Sequence, residues 1–236
     1  MNIGFYENID VNFEEALKLS QGDFTHEELL EFLKSGNIPQ KQIAALKIEY
    51  LQDANDALYL VSNLTGCDGK IREAVALKIN QLLHKERQYL LYFTQAEIFA
   101  NASIDINANI CRLVIDSAEL LVKEDKFREV YSKKILSFIR EAFEALDNFI
   151  FRDKKYVINK QLFKLYWSLE AMKLFVETLD EELLYGIYTR AMQEKEYTIR
   201  EKVAQLILLT PQNEKMSALK EQLKQDENYY VRNVFD

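Results

Sequence analysis

The chain repeats itself, and the interval of the repeat constrains its fold more than any single residue does. Pro39–Leu51 (PQKQIAALKIEYL) and Lys70–Leu82 (KIREAVALKINQL) carry Ala-Leu-Lys triplets 31 residues apart, with coincident apolar positions. The same frame recurs in DINANICRLVIDSAELL from Asp105, VINKQLFKLYWSL from Val157, TIREKVAQLILL from Thr198 and YVRNVFD from Tyr230. Self-similarity at such an interval marks an array in which each unit buries its apolar face against its neighbours.

The frame has a helical period. With its first residue as one, positions one, five, six and nine are Gln40, Ala44, Ala45, Ile48; Ile71, Val75, Ala76, Ile79; Ile106, Ile110, Cys111, Val114; Ile158, Leu162, Phe163, Tyr166; and Ile199, Val203, Ala204, Ile207. The last copy stops after Val231 and Phe235. Steps of four, one and three keep such side chains on one face of a helix. Breakers are scarce: six Gly and two Pro in 236 residues, against average usage of roughly 7% and 5%. A β fold needs turn residues every ten or so positions, so long helices joined by short polar turns are expected.

Position two is Lys41, Arg72, Asn107, Asn159, Arg200 and Arg232. An apolar residue, then Arg or Asn, then small apolar residues at five and six resembles the second helix of HEAT repeats, over roughly residues 25 to 236. The resemblance implies an all-α chain: a right-handed α-α superhelix (α-solenoid) of about five to six helix pairs. In that family the small residues admit the paired helix and the Arg or Asn ties one repeat to the next. Partner helices are expected in THEELLEFLK from Thr25, NDALYLVSNL from Asn55, ERQYLLYFTQAEIF from Glu86 and DEELLYGIYTRAM from Asp180. Thr25 with Glu28, and Asp180, have the character of helix caps. One repeat domain over 1–236 is expected, with a capping helix in 1–22 and a longer pair at 123–175. Its long first helix has Phe127, Tyr131, Ile135, Phe138, Ile139, Ala142, Phe143 and Leu146 on one face. The interval from Asn107 to Asn159, 52 residues, exceeds a usual repeat. The final frame is either a blunt cap or a piece of a longer array.

Chemistry is thinly represented. A hydrolase triad needs a His held by a carboxylate beside a nucleophile; the two histidines, His26 and His84, fall near helix ends. Cys111 lies on a core position, and Cys67 in the turn TGCDGK, which lacks the Lys-Ser/Thr ending of a phosphate loop. Acidic pairs such as Glu27–Glu28 lie at helix starts, where the helix dipole favours them. No metal or cofactor and no catalytic role are expected. The N-terminus lacks a basic head before an apolar run, and no apolar run reaches the roughly 20 residues of a membrane span. With two distant cysteines, a cytoplasmic protein is expected.

The resemblance turns the second helices toward the concave side of the array. Frame positions three, seven, ten and eleven then offer a partner Glu73, Asn80 and Gln81; Arg112, Ile115 and Asp116; Lys160, Lys164, Trp167 and Ser168; and Glu201, Gln205, Leu208 and Leu209. Trp167 reads either as a binding anchor, as Trp often is, or as a cover for the next repeat. The net charge of −8 argues against a general nucleic-acid coat. Residues 123–164, however, hold eleven Lys or Arg against seven Asp or Glu, a net of +4. Lys133, Lys134, Lys154 and Lys155 there read as a patch for an acidic partner or as the solvated back of a helix. The expected function is a protein-binding scaffold, adaptor or regulatory (inhibitory) protein holding a partner segment on its concave face. The alternative is nucleic-acid binding through the basic patch, including a remote relative of the HEAT-like DNA glycosylases.

Overall fold

The computed structural model describes residues 11–148 and 155–236, with side chains from 13 to 148 and from 159 to 236. Among them lie thirteen α-helices and no strand. The chain divides into two compact units, one comprising residues up to Ala102 with Asn107–Leu121, the other Ser103–Ile106 with Val122–Asp236. Unit 1 holds α1 (Val11–Ser20), α2 (His26–Ser35), α3 (Ile38–Lys47), α4 (Ala54–Val61), α5 (Gly69–Lys85), α6 (Ala96–Ala102) and α7 (Ala108–Leu121). Unit 2 holds α8 (Asp125–Asp147), α9 (Lys155–Met172), α10 (Glu181–Ala191), α11 (Tyr197–Leu209), α12 (Glu214–Leu223) and α13 (Tyr229–Arg232).

Local chemistry sets the helix starts. Thr25 accepts from the Glu28 amide while the Glu28 carboxylate accepts from the Thr25 amide, a reciprocal capping box. Asn37 and Gln40 repeat the device at α3, where Pro39 occupies the first turn. Asp53, Asp68, Asp180, Asn213 and Asn228 each accept backbone N–H groups at their own helix starts.

The repeat frames become the second members of helix pairs. In unit 1, α2 packs on α3, α4 on α5 and α6 on α7, while α3 lies against α5 and α5 against α7. The first helix, α1, lies on α3. In unit 2, α8 packs on α9 and α10 on α11, with α9 against α11 and α11 against α13. Positions five, six and nine of the first, second, third and fifth frames keep at most 1% of their surface, as at Ala45, Val75, Cys111 and Ala204. Burying each Val or Ile contributes roughly 1.5–3 kcal/mol, and the Ala and Cys beside them let the neighbouring helix come close.

The arginines at position two do a common job. Arg72, Arg200 and Arg232 each fold Nη1 back onto the carbonyl six residues earlier, Gly66 at 2.6 Å, Glu194 at 2.8 Å and Asp226 at 2.5 Å. Arg200 also grips both oxygens of Asp226, at 2.6 and 3.0 Å, ahead of α13. One guanidinium thus satisfies the turn before its own helix and holds the turn before the next. Arg128 in α8, outside the frames, reaches back to the Val122 carbonyl in the same way.

Four local expectations differ from what is found. Ile106, placed on the core of the third frame, is 77% exposed. The helix of this frame, α7, starts later, where the Asn107 side chain accepts from the Asn109 amide, and this leaves Ile106 outside it. In the fourth frame Leu162, Phe163 and Tyr166 are only half-buried; Leu165, Trp167, Ser168, Leu169, Ala171 and Met172 are the enclosed residues. There α9 extends beside the 23-residue α8, and its tightly buried turns come later than the frame implies. The segment from Glu86 is not one helix but a 3-10 turn, Arg87–Leu91, followed by α6. The break lets Tyr89 and Phe93 turn inward, with the Tyr89 hydroxyl accepting from the Leu51 amide at 3.3 Å. Finally, α12 stands outside the expected partner helices, although Asn213 and the buried Met216, Leu219 and Leu223 have the spacing of one.

Candidate interaction surface

In unit 1 four of the residues singled out from the frame come together. Glu73, Leu77, Asn80 and His84 follow one stripe of α5, and Asn109, Arg112 and Asp116 follow one stripe of α7, at spacings that share a helix face. The Asn109 amide donates to Glu73 at 3.3 Å, and Arg112 donates to the Asn109 Oδ1 at 3.2 Å. One turn on, Asn80 Nδ2 donates to Asp116 Oδ2 at 2.6 Å and to the Leu113 carbonyl and Ser117 Oγ at 3.3 Å each. His84 Nε2 meets the same Asp116 oxygen at 2.7 Å, both side chains about half exposed. Burial works to raise the Asp116 carboxyl, but the bonds from Asn80 and His84 outweigh it and hold it below the usual carboxylate range. Leu77 lies amid this band, 37% exposed. The result is a polar strip already tethered across two helices, with an apolar side chain between its halves.

The unit 2 candidates do not converge. Trp167 is 5% exposed, its indole set edge-to-face against Tyr166 and Phe163 at centroid distances of 5.2 and 6.1 Å. Of its two readings, packing is the one its position supports, and it has little surface to offer a partner. Ser168 is fully buried. Lys164 pairs with Glu141 at 2.6 Å and lies over the Phe138 ring at 4.7 Å. Lys160 is exposed. Gln205 accepts from Lys173 at 2.6 Å and from Lys202 at 3.2 Å. It belongs to a partly buried charged cluster between α9 and α11, where Glu170 meets Lys202 at 2.5 Å and Lys173 at 2.8 Å. Burial opposes the Glu170 charge, yet the two lysines hold its carboxyl below the ordinary value. Lys202 is raised because Glu170 outweighs its burial, whereas Lys173 is lowered because burial prevails.

Of the basic patch, Lys133 is exposed and Lys134 lies over Phe138 at 5.1 Å. Lys154 lies outside the described residues. Lys155 opens α9, and its side chain also lies outside them.

Two features escaped the sequence reading. Asn109, the link between Glu73 and Arg112, stands 36 residues after Glu73; the second and third frames set Ala108 against Glu73, so the frame does not pair the two. His26 is not merely helix-terminal. Its Nε2 contacts Asp56 Oδ2 at 2.8 Å, both side chains under 10% exposed, and its ring stacks on Tyr50 at 4.4 Å. Asp56 also accepts from the Gln52 amide, so the pair fastens α2 to the start of α4. Among the described residues no group of three or more His, Cys, Asp or Glu is placed to hold a metal, and no helix is long and apolar enough to cross a membrane. No protein-family model matches the sequence, and no curated protein is significantly similar to it.

Proposed function

We propose that this chain is a HEAT-type binding scaffold, an α-solenoid whose second helices line a concave face and receive a segment of a partner protein, in an adaptor or regulatory role. The α5–α7 band carries this reading. Its hydrogen-bonding groups are tethered to one another before any partner arrives, which lowers the ordering cost of association. Leu77 supplies an apolar centre within a polar rim, the composition of an interface core. The alternation of packed pairs within each unit supports the HEAT-like architecture.

The test is photocrosslinking in native cell lysate, with the crosslinking residue at Gln81 or Arg112 and a control at exposed Glu97 on α6. One protein captured from the first two positions, not from the third, and lost when Leu77→Glu is added, is the expected result. Equal capture from all three, or none at Gln81 and Arg112, rejects the face.

A further inference from the structure

We infer that the cleft between α8 and α10 in unit 2 binds an amphipathic helix of a partner protein, one that carries an acidic residue beside its apolar anchors. Each of these two helices packs on its own partner, α9 or α11. Between them they leave an open cleft of about 310 Å³. Leu136, Ile139 and Phe143 form one wall; Leu183, Gly186 and Ile187 form the other. A furrow between two helices is the shape into which the side-chain ridge of a third helix fits, with anchors at steps of three and four.

Gly186 leaves a gap in the side chains of its wall. It sits within α10, exposed, and a Cβ built there would meet nothing within 4 Å. Glycine weakens a helix interior, and among the described residues no contact requires it. What its missing side chain provides is close access to the helix backbone from outside, over an apolar surface.

Charge selects the occupant. Glu182 on the rim is paired with Lys215, and Arg190 with Asp147 and Glu194 while lying over Phe143 at 5.0 Å. Arg140 is exposed, and among the described residues no carboxylate lies within pairing distance of it. It stands one turn from both Leu136 and Phe143, so an anchor seated between those side chains brings a neighbouring Asp or Glu to the guanidinium. These residues share none with the α5–α7 band, so the site stands or falls independently of that reading.

The test uses the full chain and a displayed library of helical peptides with Leu or Phe at i, i+4 and i+7 and randomised flanks. Selected peptides are titrated by fluorescence anisotropy against wild type, Arg140→Glu and Gly186→Phe, both variants first shown to keep the wild-type far-UV circular dichroism. Expected are acidic flanks among the selected peptides, a loss of about tenfold or more with Arg140→Glu, and no measurable binding with Gly186→Phe. Peptides that bind both variants as tightly as wild type overturn the proposal. So does a library that yields no saturable binder, or a cleft that takes up decanoate and excludes every selected peptide.

Discussion

The seam between α5 and α7 and the seam between α9 and α11 use the same device, polar side chains reaching from one second helix to the next, under opposite conditions. In the first, Asn80, His84 and Asp116 meet at a surface open to water. In the second, Glu170 is hemmed by two lysines and Gln205 in a partly buried setting. An exposed hydrogen-bonded strip costs little to maintain, because water can replace any bond it loses. A buried ionic cluster must stay complete, because any member left alone carries an uncompensated charge. Polar contacts between neighbouring second helices are therefore open to water in one unit and partly enclosed in the other.

The largest break in this contrast is expected at Trp167. Trp167→Ala empties a buried aromatic site and should cost about 3–5 kcal/mol, read as a fall in the urea midpoint by circular dichroism. Leu77→Ala, at an exposed position on the opposite seam, should cost under about 1 kcal/mol. Similar losses at the two sites would erase the distinction.

Next in size is the charged cluster. Glu170→Gln keeps the shape but leaves Lys173 and Lys202 without their carboxylate. Removing one member of a fully buried pair costs about 3–5 kcal/mol; partial solvent access brings this to about 2–3 kcal/mol. The pH dependence carries the same information. The Glu170 carboxyl is lowered from 4.5, so its contribution is present above that value and is lost as pH falls through the lower, folded value. Wild type should therefore lose stability on acidification below about pH 4.5 more steeply than Glu170→Gln, measured as urea midpoints along a pH series. Asp116→Asn should leave this acid limb nearly unchanged and cost at most about 1 kcal/mol, as exposed pairs do.

The smallest effect has the opposite sign. Gly186→Ala restores helix propensity where a methyl group meets open space and should stabilise the chain by about 0.4–1 kcal/mol, visible as a raised thermal midpoint. A loss instead would mean that the α8–α10 cleft is tighter than its lining allows.

Much of the architecture is legible in the sequence, for a local reason. Caps such as Thr25 with Glu28, the paired small residues Ala44–Ala45 and Val75–Ala76, and the run from Phe127 to Ala142 act within a turn or two of helix, so spacing alone exposes them. Half of the candidate surface is legible too: Glu73, Asn80, Arg112 and Asp116 stand at frame positions three, ten, seven and eleven, which lie on one helix face. Tertiary structure decided the rest, because burial depends on which helix lies opposite and not on the helix itself. The long α8 displaced the enclosed turns of α9 and left Phe163 and Tyr166 half-buried. It also stood back from α10 to leave a cleft over Gly186. The contact of His26 with Asp56 spans 30 residues, and that of Arg200 with Asp226 spans 26. No periodicity selects those partners; they meet because successive helix pairs bring their turns together.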